Sequence, residues 1–257
     1  QKRVVVYAGK SFEAYCALYA IMFSENIWVP LSPEHPDNRT LRVLELCKPD
    51  IIITDRLLPD KIVTFAENSN IKIFDLFNVI KQTNTKPLTL GNYDAEDIAY
   101  IMFTSGSTGI PKGVPMTHRN YINFVNNSIE ILPFEKHEVF SDYHELGFDI
   151  SIFYLFCAVI TESALSPFLR DEERFVPVDH IIKNHITVWS SVPSVIQNLI
   201  RLRPKSNIRT SLKLMFLCGE PFRLDVLGYC FNNMNIPHVY NFYGLTETGV
   251  ENFYHYC

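Results

Sequence analysis

Short apolar runs alternate with helix-length segments along nearly all of this chain, and that alternation restricts the fold more than any other feature. Residues 4–7, 27–29, 51–54, 71–74, 187–190, 212–217 and 238–242 read as strands. Between them, 11–24, 38–47, 193–202 and 224–233 read as helices. Ser11 is placed to cap the first, with Phe12, Cys16, Tyr19 and Phe23 on one face. Thr117 is placed to cap a helix running to Ile131, and another helix is expected to begin at Asp149. Strand and helix in turn imply an α/β chain with doubly wound, mostly parallel sheets flanked by helices. The polar stretch 81–97, with Lys86-Pro87 and the acids Asp94, Glu96 and Asp97, reads as a linker. It divides a first lobe, 1–95, from a second, 96–257.

Composition narrows the class. The chain has 257 residues and is 47% hydrophobic, enough for a sizeable core. A net charge of −5 with no basic run argues against a nucleic-acid surface. The most apolar window, 146–160, contains Asp149 and is too short to span a bilayer, so no membrane partner is expected. The chain opens with Gln1-Lys2 and carries no signal pattern there. Its six cysteines form no C-x-x-C pair, and Cys16, Cys157 and Cys218 sit in apolar surroundings. Reduced, buried thiols and a cytoplasmic location are the expectation.

The chemistry concentrates after the apolar run 98–103. Thr104-Ser105-Gly106-Ser107-Thr108-Gly109 follows it directly, and Lys112 stands three residues further on. Gly106 and Gly109 let backbone N–H groups turn toward an anion. The hydroxyls add donors and Lys112 a point charge. Neither the P-loop nor the dinucleotide template fits, since Pro111 and Gly113 flank the lysine and no third glycine follows Gly109 at the required spacing. A Ser- and Gly-rich surface loop remains the plain alternative.

Two further segments end strands in the same manner. Asn241-Phe242-Tyr243-Gly244-Leu245-Thr246-Glu247 offers a flat ring, a hydroxyl and an acid able to hold Mg2+, though a strand, a turn and an acidic helix start would read alike. Cys218-Gly219-Glu220-Pro221 puts a glycine where a ligand could approach backbone, or where a helix simply begins at proline. Because ligands of open α/β sheets bind beyond strand carboxyl ends, these segments are expected to face one crevice. Asp149, in Gly147-Phe148-Asp149-Ile150-Ser151, is either a helix cap or a buried counter-ion.

Taken in order, Thr-Ser-Gly-Ser-Thr-Gly-x-Pro-Lys-Gly, Gly-Glu-Pro and Tyr-Gly-x-Thr-Glu resemble the adenylate-forming enzymes, which include acyl-CoA ligases, luciferases and peptide-synthetase adenylation domains. Phe-Asp-x-Ser at 148–151 is similar to their amino-acid-activating branch. The stretches 188–194 and 216–221 look most like D-alanine:carrier-protein ligases. The resemblance implies ATP-dependent activation of an amino-acid carboxylate as an aminoacyl-adenylate, then transfer to the phosphopantetheine thiol of a carrier protein. It implies that residues 104–109 and Lys112 grip the ATP phosphates, with Lys112, Thr246 and Glu247 as catalytic residues and Glu247 as the Mg2+ ligand. Gly219, Glu220, Pro221, Asn241, Phe242, Tyr243, Gly244 and Thr246 would surround the nucleotide, with Tyr243 stacked on adenine. Asp149 would pair with the substrate α-ammonium, and Ile150, Phe153, Ser190, Phe216, Cys218 and Val250 would line an apolar side-chain pocket, with no second charge besides Glu251. His118 is a weaker candidate, and Leu245 stands where peptide synthetases usually carry proline. The resemblance further implies that a later aspartate motif, a hinge and a small carboxyl-terminal domain with its lysine lie outside this chain, leaving it impaired alone. An acyl- or aryl-CoA ligase and a non-catalytic nucleotide-binding module are the alternatives.

Overall fold

The computed structural model describes residues 1–81, 91–105, 109–203 and 207–257. Most of the expected linker, and Gly106, Ser107 and Thr108 of the glycine-rich loop, lie outside the described residues. The chain divides into two compact units: 1–121 with 145–148, and 122–144 with 149–257.

In the first unit β1 (Arg3–Tyr7), α1 (Phe12–Phe23), β2 (Ile27–Leu31), α2 (Asp37–Cys47), β3 (Ile51–Thr54), α3 (Asp60–Asn68), β4 (Lys72–Asp75) and α4 (Leu76–Ile80) alternate strictly. A hairpin follows, β5 (Ile98–Ser105) and β6 (Pro111–Thr117). The sheet runs β4-β3-β1-β2-β5-β6, parallel up to β5, with β6 antiparallel at its edge. Val5, Val29, Val43, Leu44, Ile52 and Ile62 pack the core from strands and helices together. Strands covered on both faces by helices need apolar residues at every position, which is why β2 is buried throughout.

The helix α5 (His118–Ile131) crosses from one unit to the other. In the second unit come β7 (Val139–Asp142), α6 (Ser151–Ile160), β8 (Ala164–Pro167), α7 (Asp171–Phe175), α8 (Pro177–Lys183), β9 (Val188–Ser191), α9 (Pro193–Leu202), β10 (Leu214–Leu217), α10 (Leu224–Asn232), β11 (His238–Tyr243), a 3-10 turn at Thr246–Thr248, and β12 (Phe253–Tyr256). This sheet runs β12-β11-β10-β9-β7-β8 and is parallel except for the terminal pair β11-β12. Trp189, Met215, Leu217, Val226 and Val239 lie at the centre of its core. The architecture is therefore the expected one: α/β, two mostly parallel sheets with flanking helices.

Local expectations mostly hold. Ser11 caps α1 through the Ala14 N–H, and Thr117 receives the Asn120 N–H at the start of α5. One face is reversed. Ala14, Leu18, Ile21 and Met22 of α1 are buried, whereas Phe12, Cys16 and Phe23 face outward. The helix is apolar nearly all round, so its pattern could not choose a side; the small alanines permit the closer approach to the sheet. Cys16 is thus exposed, while Cys47, Cys157, Cys218 and Cys230 are buried free thiols.

Candidate functional site

The glycine-rich loop connects the two strands of a hairpin. Ser105 stands opposite Pro111, Thr104 opposite Lys112 and Phe103 opposite Gly113. Lys112 therefore belongs to strand β6, exposed at the sheet edge, and not to a loop leading into a helix. Gly109 takes a positive φ of 77°, a conformation that favours glycine. At Gly113 the need is space, since a Cβ would stand 3.1 Å from the Phe103 ring. His118 begins α5 in the same unit. It is buried, its Nδ1 is 3.3 Å from the Tyr121 hydroxyl, and burial lowers its pKa.

In the second unit the carboxyl ends of β10 and β11 carry the other segments. Gly219 ends β10 with φ of 78°, the left-handed region. Glu220 turns back to the start of α9, accepting the Ser194 N–H at 2.8 Å and the Ser194 hydroxyl at 3.0 Å. α9 has no cap of its own, Val192 preceding Pro193, so Glu220 supplies one from across the turn. The sequence alone could not reveal this, because the cap comes 26 residues downstream of the helix it closes.

Beyond β11 the chain makes one tight turn and returns as β12. Tyr243 is 62% exposed with its ring open to solvent, and Glu247 is also exposed. Asn241 is held in the sheet between Leu217 of β10 and His255 of β12. Gly244 is fixed by close approach: a Cβ there would stand 2.3 Å from the Val250 carbonyl oxygen and 2.4 Å from Glu251 Cα. Val250, buried, is held at φ of 57°, a strained position for a β-branched residue that costs on the order of 1–3 kcal/mol. The Asn252 N–H to Tyr243 carbonyl bond at 3.0 Å closes the turn.

Asp149 meets this turn. Its carboxylate accepts from the Thr246 hydroxyl and the Ile150 N–H, and it lies in the field of Glu247. Burial raises its pKa, and the neighbouring glutamate adds to the rise. α6 begins at Ser151 without a side-chain cap; the Asp149 carbonyl accepts the Ile152 N–H at 2.9 Å, while its carboxylate faces Thr246 and the Ile150 N–H. Behind it, Phe153, Phe216 and Phe242 pack in series, with ring centroids 4.4 Å and 5.1 Å apart. Ile150, Phe153, Ser190, Phe216, Cys218, Phe242 and Val250 are all buried. Of these, Phe153, Phe216 and Phe242 meet ring to ring, and Ser190 lies beside Cys218. Cys218 sits against Glu251, and burial pushes its thiol well above the usual range. Glu251 itself is raised to about 7, by burial first, with Asp149 adding to the rise.

Among the described residues, no three His, Cys, Asp or Glu side chains form a metal-holding group. An exposed Glu247 matches the sparse protein coordination of Mg2+, which keeps most of its ligands from water and phosphate. No helix among the described residues is long and apolar enough to cross a membrane.

The family model for AMP-binding enzymes matches residues 1–253, and the chain belongs to that family of adenylate-forming enzymes. Within it, the chain is 27% identical to an L-proline--[L-prolyl-carrier protein] ligase of Pseudomonas fluorescens, covering 97% of this chain and 52% of that protein. It is 26% identical to a D-alanine--D-alanyl carrier protein ligase of Lactococcus lactis, covering 96% and 50%. Among solved structures, that of IdnL7 superposes with a TM-score of 0.84 at 26% identity, over all of this chain and 54% of the other. The Vibrio cholerae adenylation domain AlmE, solved with glycyl-adenosine-5'-phosphate, shares the fold at a TM-score of 0.81 and 23% identity, over 99% and 52%. The chain spans about half the length of these two ligases.

Proposed function

We propose that the protein containing this chain activates an amino-acid carboxylate with ATP and passes it to the phosphopantetheine thiol of a carrier protein. The observation that carries this is the Asp149 carboxylate, partly buried, bonded to Thr246 and without a cationic neighbour contributing among the described residues. A carboxylate kept from water gains most from a counter-ion, and an α-ammonium supplies one. Acyl and aryl acids carry no such group. The relatives named as prolyl- and D-alanyl-carrier-protein ligases support the same assignment.

In this reading the substrate carboxylate oxygen attacks the α-phosphorus of ATP and pyrophosphate leaves. The carrier thiol then attacks the acyl carbonyl, and AMP departs. The amides and hydroxyls of residues 104–109, with Lys112, would offset charge on the pyrophosphate. Tyr243 presents the exposed ring for adenine, while Gly219, Pro221, Asn241, Phe242 and Gly244 shape the backbone around it. Glu220, being engaged with α9, would serve the nucleotide by holding the Gly219 turn in place. Glu247 would hold Mg2+, which supplies charge neutralisation at the phosphates.

The test is amino-acid-dependent exchange of labelled pyrophosphate into ATP by the full-length protein. Asp149→Ala should lower exchange at least 100-fold, whereas in an acyl- or aryl-CoA ligase the same change should leave turnover nearly intact. Absence of exchange with every common D- and L-amino acid, despite tight ATP binding, would favour a non-catalytic nucleotide-binding module instead.

A further inference from the structure

The first unit holds a pocket that includes none of the candidate residues described above. Its volume is about 460 Å³, and it is lined by the last turns of α2 and α3. Pro49 and Ile71, which lead into β3 and β4, complete the lining. β1 to β5 are all parallel, and the glycine-rich loop follows the carboxyl end of β5. The pocket therefore belongs to the opposite, amino-terminal end of the same sheet.

Its interior is apolar. Leu44 is part of the buried core, Pro49 is buried, and Phe65 and Ile71 pack against that core while staying half open. The rim is polar, since Glu45, Lys48 and Ser69 are exposed. Apolar walls with a few convergent polar groups are the ordinary form of a small-molecule site. Here the rim carries one carboxylate and one ammonium, three residues apart at the end of one helix.

The backbone biases the same region. Neither α2 nor α3 has a basic residue in its last turn, so the partial negative charge of two helix ends is left for a cation. Pro49 has no N–H to offer the Glu45 carbonyl, and the Asp50 N–H goes to the Arg3 carbonyl at 2.9 Å and not to Leu46. Two carbonyls of α2 thus miss the N–H that a further turn would supply. Arg42 bonds one oxygen of the Glu45 carboxylate at 3.0 Å. Lys48 closes α2 in the left-handed region, with φ of 47° and ψ of 63°, where glycine or asparagine is usual. Just past α3, a left-handed position at φ of 54° holds Asn70, the ordinary choice. A lysine kept where asparagine fits more easily is an outlier that points to a use for its ammonium.

We propose that this pocket binds a free α-amino acid with a large apolar side chain, at a site separate from the one that carries Asp149. The side chain rests on Leu44, Pro49, Phe65 and Ile71. The α-carboxylate pairs with Lys48, and the α-ammonium with Glu45 and the open carbonyls of α2. A simple amine sets a cation beside Lys48 with nothing to offset it. A simple acid sets an anion beside Glu45 and two helix ends. Only the zwitterion matches both charges. The inference concerns binding alone and is independent of amino-acid activation.

The experiment is amide hydrogen exchange of the full-length protein with L-phenylalanine at about 10 mM, enough to fill a site of roughly millimolar affinity. Residues 44–50 and 65–72 should gain protection. Asp149→Ala removes the ammonium partner proposed for the other site and should leave this protection intact. Titrations of the same protection should show phenethylamine and 3-phenylpropionate binding about fivefold more weakly than phenylalanine, the scale of one exposed ion pair. Lys48→Asn keeps the left-handed turn and should shrink the preference over phenethylamine. Glu45→Gln should shrink the preference over 3-phenylpropionate. No protection at these residues, or protection that disappears in Asp149→Ala, would overturn the inference. So would equal binding of the three compounds, or preferences that neither rim substitution moves.

Discussion

Asp149 and Glu251 illustrate what a carboxylate's surroundings do to its charge. Each has its pKa raised, burial being the first cause, and each adds to the rise in the other or lies near a further acid. The linkage sign follows. The unfolded chain loses the Glu251 proton near the ordinary 4.5, whereas the folded chain keeps it to about 7. The contribution of Glu251 to stability is thus fullest below the unfolded value and declines as pH climbs between the two. The loss is on the order of 3 kcal/mol across that window. Denaturant unfolding from pH 4.5 to 8 should show the unmodified protein losing stability relative to Glu251→Gln across that window. Asp149 moves in the same direction, while His35, His118 and His180, whose pKa values burial lowers, add stability as pH rises and do so alike with and without the substitution. A slope unchanged in Glu251→Gln would mean that its carboxyl is not held as described. Asp149, Thr246 and Glu247 were legible in the sequence because each sits in an ordered motif. The partnership of Glu251 with Cys218 was not legible, because 33 residues separate them and only the pairing of β10 with β11 brings their ends together.

Among elements, the sequence revealed the parallel strands and hid the antiparallel ones. A run such as β10, wholly buried and continuously apolar, announces itself. β6 contains Pro111, Gly113 and Pro115, which read as loop. Proline is tolerated there because the strand is an edge and one side of its backbone needs no partner. β12 is an edge as well, and its residues are exposed throughout. Two of the three segments singled out for nucleotide chemistry, the one after β5 and the one after β11, thus sit where a sheet reverses direction. A second element-scale device is the borrowed cap on α9. Glu220→Ala removes the acceptor for the Ser194 N–H and should destabilise the second unit by about 1 kcal/mol. Glu220→Gln, which can still accept, should recover most of that. Thermal unfolding of both variants, followed alongside ATP binding, separates this role from direct nucleotide contact. A loss of binding with no loss of stability would assign Glu220 to the ligand instead.

At the scale of the molecule the chain does not finish one unit before starting the next. Residues 145–148 return to the first unit after 122–144 have already entered the second. Asp149 follows that return immediately, so the residue proposed to read the substrate ammonium is the first one back in its own unit. Hydrophobic periodicity could not disclose this, because it reports which residues are buried and not which core they join. The interleaving has a practical meaning for anyone wishing to exchange the substrate-reading part of such a protein. A single junction after residue 121 would strand 145–148 on the wrong side of the graft. Separately expressed 1–121 and 122–257 should each show weaker protection in amide hydrogen exchange than the same residues in the intact chain, and mixing them should restore part of it. Full protection in the isolated halves would show that the crossing is incidental. A transplant that respects the crossing needs three cuts, at 121/122, 144/145 and 148/149, the last falling directly before Asp149.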